Sequence, residues 1–93
     1  MIKTQNIEIV DVTARDGLQN ESVIFTTEDK IDLINRSIET GVKRLEVASF
    51  VHPKYVPQMA DAEAIINNLP EKDNLTYIGL AMNERGVDRA LKT

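Results

Sequence analysis

The 93-residue chain carries no cysteine and a single histidine, His52. Without cysteine there is no disulfide, no thiolate nucleophile and no cysteine-ligated zinc within the chain. One histidine rules out a histidine-pair metal site built from one copy of the sequence. Positive charge is also scarce: 11 lysines and arginines stand against 15 acidic residues, a net charge of −4. With a pI near 4.9, this argues against non-specific binding to nucleic acid or to an anionic membrane. No apolar run approaches the roughly 20 residues of a membrane span. The N-terminal stretch MIKTQNIEIV has neither the apolar core of a signal peptide nor the Arg-rich pattern of a transit sequence, so the expected location is the cytoplasm.

What is present suits one small globular domain. The hydrophobic fraction of 42% is ordinary, and a chain of this length buries roughly 60–65% of its unfolded surface, enough for a thin core. The apolar period switches back and forth along the chain. IEIVDV (Ile7 to Val12) is short, β-branched and followed by turn residues, which predicts a strand. TTEDKIDLINRSIETG predicts a helix, with Thr26 or Thr27 as its cap, Glu28 and Asp29 at its positive end and Gly41 at its C-terminal stop. Ile31, Ile34 and Ile38 form its apolar stripe.

RLEVASF (Arg44 to Phe50) predicts a second strand, and DAEAIINNL a second helix through Ala62, Ile65, Ile66 and Leu69, ended by Pro70. LTYIGLA (Leu75 to Ala81) predicts a third strand, and NERGVDRALK a third helix through Val87, Ala90 and Leu91. The order β-α-β-α-β-α implies right-handed βαβ units and a parallel sheet. Three parallel strands leave two open edges, so the segment reads as the opening of a larger α/β fold or as a unit completed by another chain.

Chemistry in such folds gathers at the C-terminal ends of the strands. DVTARDGLQNE (Asp11 to Glu21) crowds charged and hydrogen-bonding groups there. Glu46 lies within the second strand, on the face opposite Leu45 and Val47 by the period-two rule. A carboxylate in an apolar strand needs a cation, a metal or hydrogen-bond donors, and Arg15 has a rigid fork to supply them. Asp16 is a hard oxygen ligand suited to Mg²⁺ or Mn²⁺, although Asp16-Gly17 is equally a common turn dipeptide and Arg15–Glu46 could be a structural ion pair. His52, Lys54 and Tyr55 could meet a ligand or form ordinary surface, and Asn83 could enter the same mouth or cap the third helix.

RDGLQNE (Arg15 to Glu21), followed by LEVASFVHPKYVPQMAD (Leu45 to Asp61), resembles the hydroxymethylglutaryl-CoA lyase family, within a metal-dependent (β/α)₈-barrel superfamily of lyases and synthases. The resemblance runs over most of the chain, and two long blocks each ending a predicted strand make it specific. It implies that residues 1–93 are the N-terminal part of an incomplete barrel, a β-α-β-α-β-α parallel-strand segment forming the first three units of a TIM barrel. It implies a retro-Claisen cleavage of 3-hydroxy-3-methylglutaryl-CoA to acetoacetate and acetyl-CoA, as in leucine degradation. Arg15 would stabilise the developing enolate, Glu46 would orient Arg15, and Asp16 would be one ligand of the divalent metal, Mg²⁺ or Mn²⁺. Gln19 and Ser49 would lie against the substrate. Expected partners are an acyl-CoA thioester and further copies of the same chain in a homo-oligomer, with no nucleic acid and no membrane.

The family's remaining ligands, a His-x-His pair and an asparagine, and its glycine-rich cysteine loop have no counterpart in these 93 residues. The segment alone is therefore expected to be inactive. Two alternatives stay open: a condensing synthase of the same barrel superfamily, whose arginine-aspartate-glycine turn usually ends G-x-Q, and a non-catalytic truncated oligomeric module.

Overall fold

A computed structural model describes residues 7–93, so part of the N-terminal stretch read for leader signals lies outside the described residues. The elements are strand β1 (Val10–Asp11), helix α1 (Thr27–Glu39), strand β2 (Arg44–Ser49), helix α2 (Ala62–Asn67), strand β3 (Thr76–Leu80) and helix α3 (Glu84–Leu91). The sheet is parallel throughout, in the order β1-β2-β3, with Val10 opposite Arg44 and Arg44 opposite Thr76. These are the expected three βα units. No helix among the described residues is long and apolar enough to cross a membrane.

Local chemistry accounts for the boundaries. The Thr26 hydroxyl accepts from the Asp29 backbone N–H at 3.1 Å, so Thr26 rather than Thr27 caps α1. Gly41 turns the chain out of α1 at φ +96°, a conformation that a side chain would strain. Asn83 caps α3 by accepting from Gly86 N–H at 2.8 Å, which assigns its amide to the helix end. Gly86 also lets α3 approach β2, since a Cβ there would stand 2.8 Å from the Phe50 carbonyl oxygen.

The first strand is shorter than the predicted Ile7 to Val12: only Val10 and Asp11 join the ladder. The backbone then leaves the sheet, because the N–H groups of Arg15, Asp16 and Gly17 all turn back to the Val12 carbonyl. That wraps Thr13–Gly17 into a single wide π-helical turn where a simple loop was expected. The second and third strands each end one residue before their predicted ends, and β3 also begins one residue later, at Thr76.

The core centres on β2. Leu45 and Val47 pack with Ile34 of α1 and with Ala62 and Ile65 of α2, all almost fully buried. A bulge interrupts the β2–β3 pairing, with Glu46 opposite Ile78 but Ala48 opposite Gly79. Beyond it Val47, Ala48, Ser49 and Phe50 are all buried, a run that strict alternation does not give. On α3 the predicted stripe is split: Ala90 packs on the core, whereas Val87 and Leu91 stand exposed.

Candidate functional site

The π-helical turn after β1 lies against β2 and carries Arg15 to Glu46. Arg15 Nε donates to Glu46 Oε1 at 2.5 Å, with both side chains only 17% exposed. An ionised pair that is largely withdrawn from water holds its geometry more firmly than a surface pair. Arg15 Nη1 reaches Gln19 Oε1 at 3.5 Å and lies 3.6 Å from Asp16 Oδ1. The structure thus brings together Arg15, Asp16, Gln19 and Glu46, four of the five residues to which the resemblance gives roles. A guanidinium offers five N–H donors, and among the described residues only Nε and Nη1 of Arg15 have hydrogen-bond partners.

Asp16 is more open, with its side chain 55% exposed. Asn20, which sequence inspection passed over, donates to the Asp16 carbonyl at 2.8 Å and lies 3.4 Å from Asp16 Oδ1. Most of the carboxylate's acceptor capacity therefore faces outward. It is one oxygen ligand where Mg²⁺ takes six, and no group of three His, Cys, Asp or Glu suited to a metal occurs among the described residues. The residues of this chain alone do not fit a complete metal site.

Ser49, the fifth residue, is fully buried, and its Oγ has no hydrogen-bond partner among the described residues. It is not joined to Arg15, Asp16, Gln19 or Glu46. His52 is exposed; its Nδ1 accepts from Lys54 N–H at 3.1 Å and its ring meets Tyr55 edge-on. It borders a half-open cavity of about 340 Å³ with Phe50, Glu63, Asn83, Arg85 and Arg89, away from the Arg15 cluster. Within that wall Arg89 binds Glu63 at 2.6 Å and holds its carboxyl below the usual range, against the opposing effect of burial.

A second charged group beside the site was not expected. Lys30 of α1 is almost completely buried, and its ammonium donates to Asp61 Oδ1 at 2.6 Å and to the Gln58 carbonyl. Thr27 donates to the other Asp61 oxygen at 2.5 Å, and Gln58 Nε2 donates to the Glu21 carbonyl at 2.9 Å. One signal was available: Lys30 stands one turn before Ile34 and two before Ile38, on the apolar stripe of α1.

Charged groups gathered where the first strand of a parallel βα array ends mark the chain as an α/β protein with its chemistry at the strand ends. Comparison with known proteins specifies it. The HMGL-like family model matches residues 6–93, and the chain belongs to that family. A hydroxymethylglutaryl-CoA lyase of Bacillus subtilis is 42% identical over 88 residues, which are 95% of this chain and 29% of the relative. The cytoplasmic 3-hydroxy-3-methylglutaryl-CoA lyase of Mus musculus is 42% identical over 85 residues, 91% of this chain and 25% of that protein.

Among solved structures, a hydroxymethylglutaryl-CoA lyase from Pseudomonas aeruginosa superimposes with a TM-score of 0.89 at 40% identity, covering 92% of this chain and 29% of that one. An Acinetobacter baumannii lyase in complex with coenzyme A and 3-methylmalate gives 0.87 at 38% identity, covering 91% of this chain and 28% of that one. The chain thus spans under a third of the length of these relatives. Its three parallel strands match part of their TIM barrels.

Proposed function

We propose that residues 1–93 form the N-terminal part of a lyase that cleaves 3-hydroxy-3-methylglutaryl-CoA to acetoacetate and acetyl-CoA. The observation that carries this reading is the withdrawn Arg15–Glu46 pair with donors to spare. In the reaction a base takes the tertiary hydroxyl proton, the oxygen becomes a ketone, and the C–C bond breaks. Its electron pair passes to the acetyl-CoA carbon as an enolate, which is then protonated. Negative charge develops on the thioester oxygen, and the unpartnered guanidinium donors of Arg15 suit that charge. Glu46 fixes the plane of the fork, so little reorganisation is needed as charge builds.

Asp16 serves as one ligand of a divalent cation, Mg²⁺ or Mn²⁺, whose other ligands come from outside these 93 residues; its open carboxylate supports that role. No residue of this segment is assigned as the base. Gln19, already within reach of Arg15, lies against the substrate. The orphaned Ser49 hydroxyl is a candidate donor or acceptor to it. A cytoplasmic location and assembly into a homo-oligomer belong to the same proposal.

The relatives' names set the substrate arms of the test, since one from Pseudomonas aeruginosa is a lyase of both 3-hydroxy-3-isohexenylglutaryl-CoA and hydroxymethylglutaryl-CoA. The gene product containing this segment is incubated with each thioester and Mg²⁺, and separately with acetyl-CoA and oxo acids. Release of acetyl-CoA and acetoacetate from hydroxymethylglutaryl-CoA is the expected result. Cleavage of the longer thioester alone would move the substrate, condensation would make the protein a synthase, and no reaction at all would favour a non-catalytic module.

A further inference from the structure

The function proposed above uses the Arg15–Glu46 pair and leaves the buried Lys30 group unexplained. A lysine that is almost wholly buried is costly unless its ammonium is satisfied. Here it is met by the Asp61 carboxylate and the Gln58 carbonyl. Asp61 occupies the N-cap position of α2, where a carboxylate ordinarily caps its own helix, yet it makes no such bond. Both of its oxygens are given to α1 instead, one to Lys30 and one to Thr27. A local bond has been exchanged for a tertiary one, so the position of the Gln58–Asp61 segment relative to α1 is what this group defines.

Gln58 carries that position onward. Its backbone carbonyl is held by Lys30, and its side chain donates to the Glu21 carbonyl at the far end of the Arg15–Glu21 stretch. At the near end, the same stretch is tied to Val12, just after β1, by three N–H bonds and to β2 by Arg15–Glu46. We propose that Lys30, Asp61 and Gln58 form a latch joining the loop before α2 to the loop after β1. It makes Gln58 a positioning residue for Arg15, Asp16 and Gln19. The inference rests on reading those residues as the functional site.

The test is hydrogen–deuterium exchange on the full gene product containing this segment, parent against Gln58→Met and Gln58→Glu, with thermal melting as a control. Gln58→Met removes one exposed hydrogen bond and leaves Lys30–Asp61 intact, so the fold should survive. The expected result is about fivefold faster exchange confined to the amides of residues 15–21, with unchanged exchange in β2 and α2. Gln58→Glu keeps the volume but sets a carboxylate against the Glu21 carbonyl, and should loosen the stretch at least as much. Parent-like exchange at 15–21 in both variants overturns the latch. So does parent-like exchange in Gln58→Glu alone, which would leave packing as the role of Gln58.

Kinetics then separate this inference from the lyase proposal. If the full gene product cleaves hydroxymethylglutaryl-CoA, Gln58→Met lowers kcat about tenfold with KM little changed. An unchanged kcat with loosened amides would sink the positioning role. A parent that cleaves no thioester would sink the lyase proposal, while the exchange result still decides the latch.

Discussion

Two ion pairs cross from the first βα unit to the second, and they are built to different ends. Lys30–Asp61 is nearly saturated among the described residues: Asp61 has partners on both oxygens, and two of the ammonium's three N–H donors go to a carboxylate and a carbonyl. Arg15–Glu46 lies at the surface edge of the same region and is left incomplete, with guanidinium donors unused and an outward carboxylate beside it. A buried pair with one donor left has little to offer a ligand. A pair with more donors to spare at the end of a parallel strand offers more, and on the function proposed above that difference sets Arg15–Glu46 apart from Lys30–Asp61.

The contrast breaks most sharply at Arg15. Arg15→Gln in the active gene product should lower kcat by about 10²–10³-fold, the range for losing one preorganised donor to a developing oxyanion. Stranding Glu46 should also lower stability, so kcat is read well below the variant's melting temperature. A parent-like kcat would make Arg15–Glu46 one more structural pair.

Lys30→Met should do the reverse. Removing one partner of a buried pair strands the other, and the expected loss is about 3 kcal/mol of folding stability, read by urea denaturation of the full gene product. Asp61 keeps partial contact with water, which sets the figure at the low end of the range. A loss well under 1 kcal/mol would place Lys30 among ordinary surface charges.

The smallest effect belongs to a third pair, Arg89–Glu63, which is more open than either. Arg89 holds the Glu63 carboxyl below its ordinary value of 4.5. A depressed carboxylate contributes stability that is present above the unfolded pKa and lost as pH falls through the folded one. The parent's melting temperature should therefore drop more steeply below about pH 4.5 than that of Glu63→Gln. Parallel acid limbs for the two proteins would show that the pair adds nothing measurable.

The element order was legible because β-branched runs alternate with helical stripes, and Thr26, Gly41 and Asn83 punctuate them by their own local chemistry. The Arg15–Glu46 pair was legible too, since a carboxylate within an apolar strand demands a partner. What stayed hidden depends on contacts distant in sequence. Ile7 to Val12 alternates as a strand should, yet only two of its residues pair, because the π-helical turn draws the backbone away at Val12. The bulge at Val47 is set by how β3 docks, and local propensity carries no trace of it. Lys30 drew no reading at all, because its partners lie 28 and 31 residues further along the chain.

The uncapped start of α2 has a consequence in time. The helix has six residues, too few to nucleate alone in water, and the carboxylate that could hold its first turn is committed to α1. It therefore gains its support only once α1 is already formed and docked. In the order of folding α2 is then expected to arrive late, with the loop tied through Gln58 taking its final position alongside it.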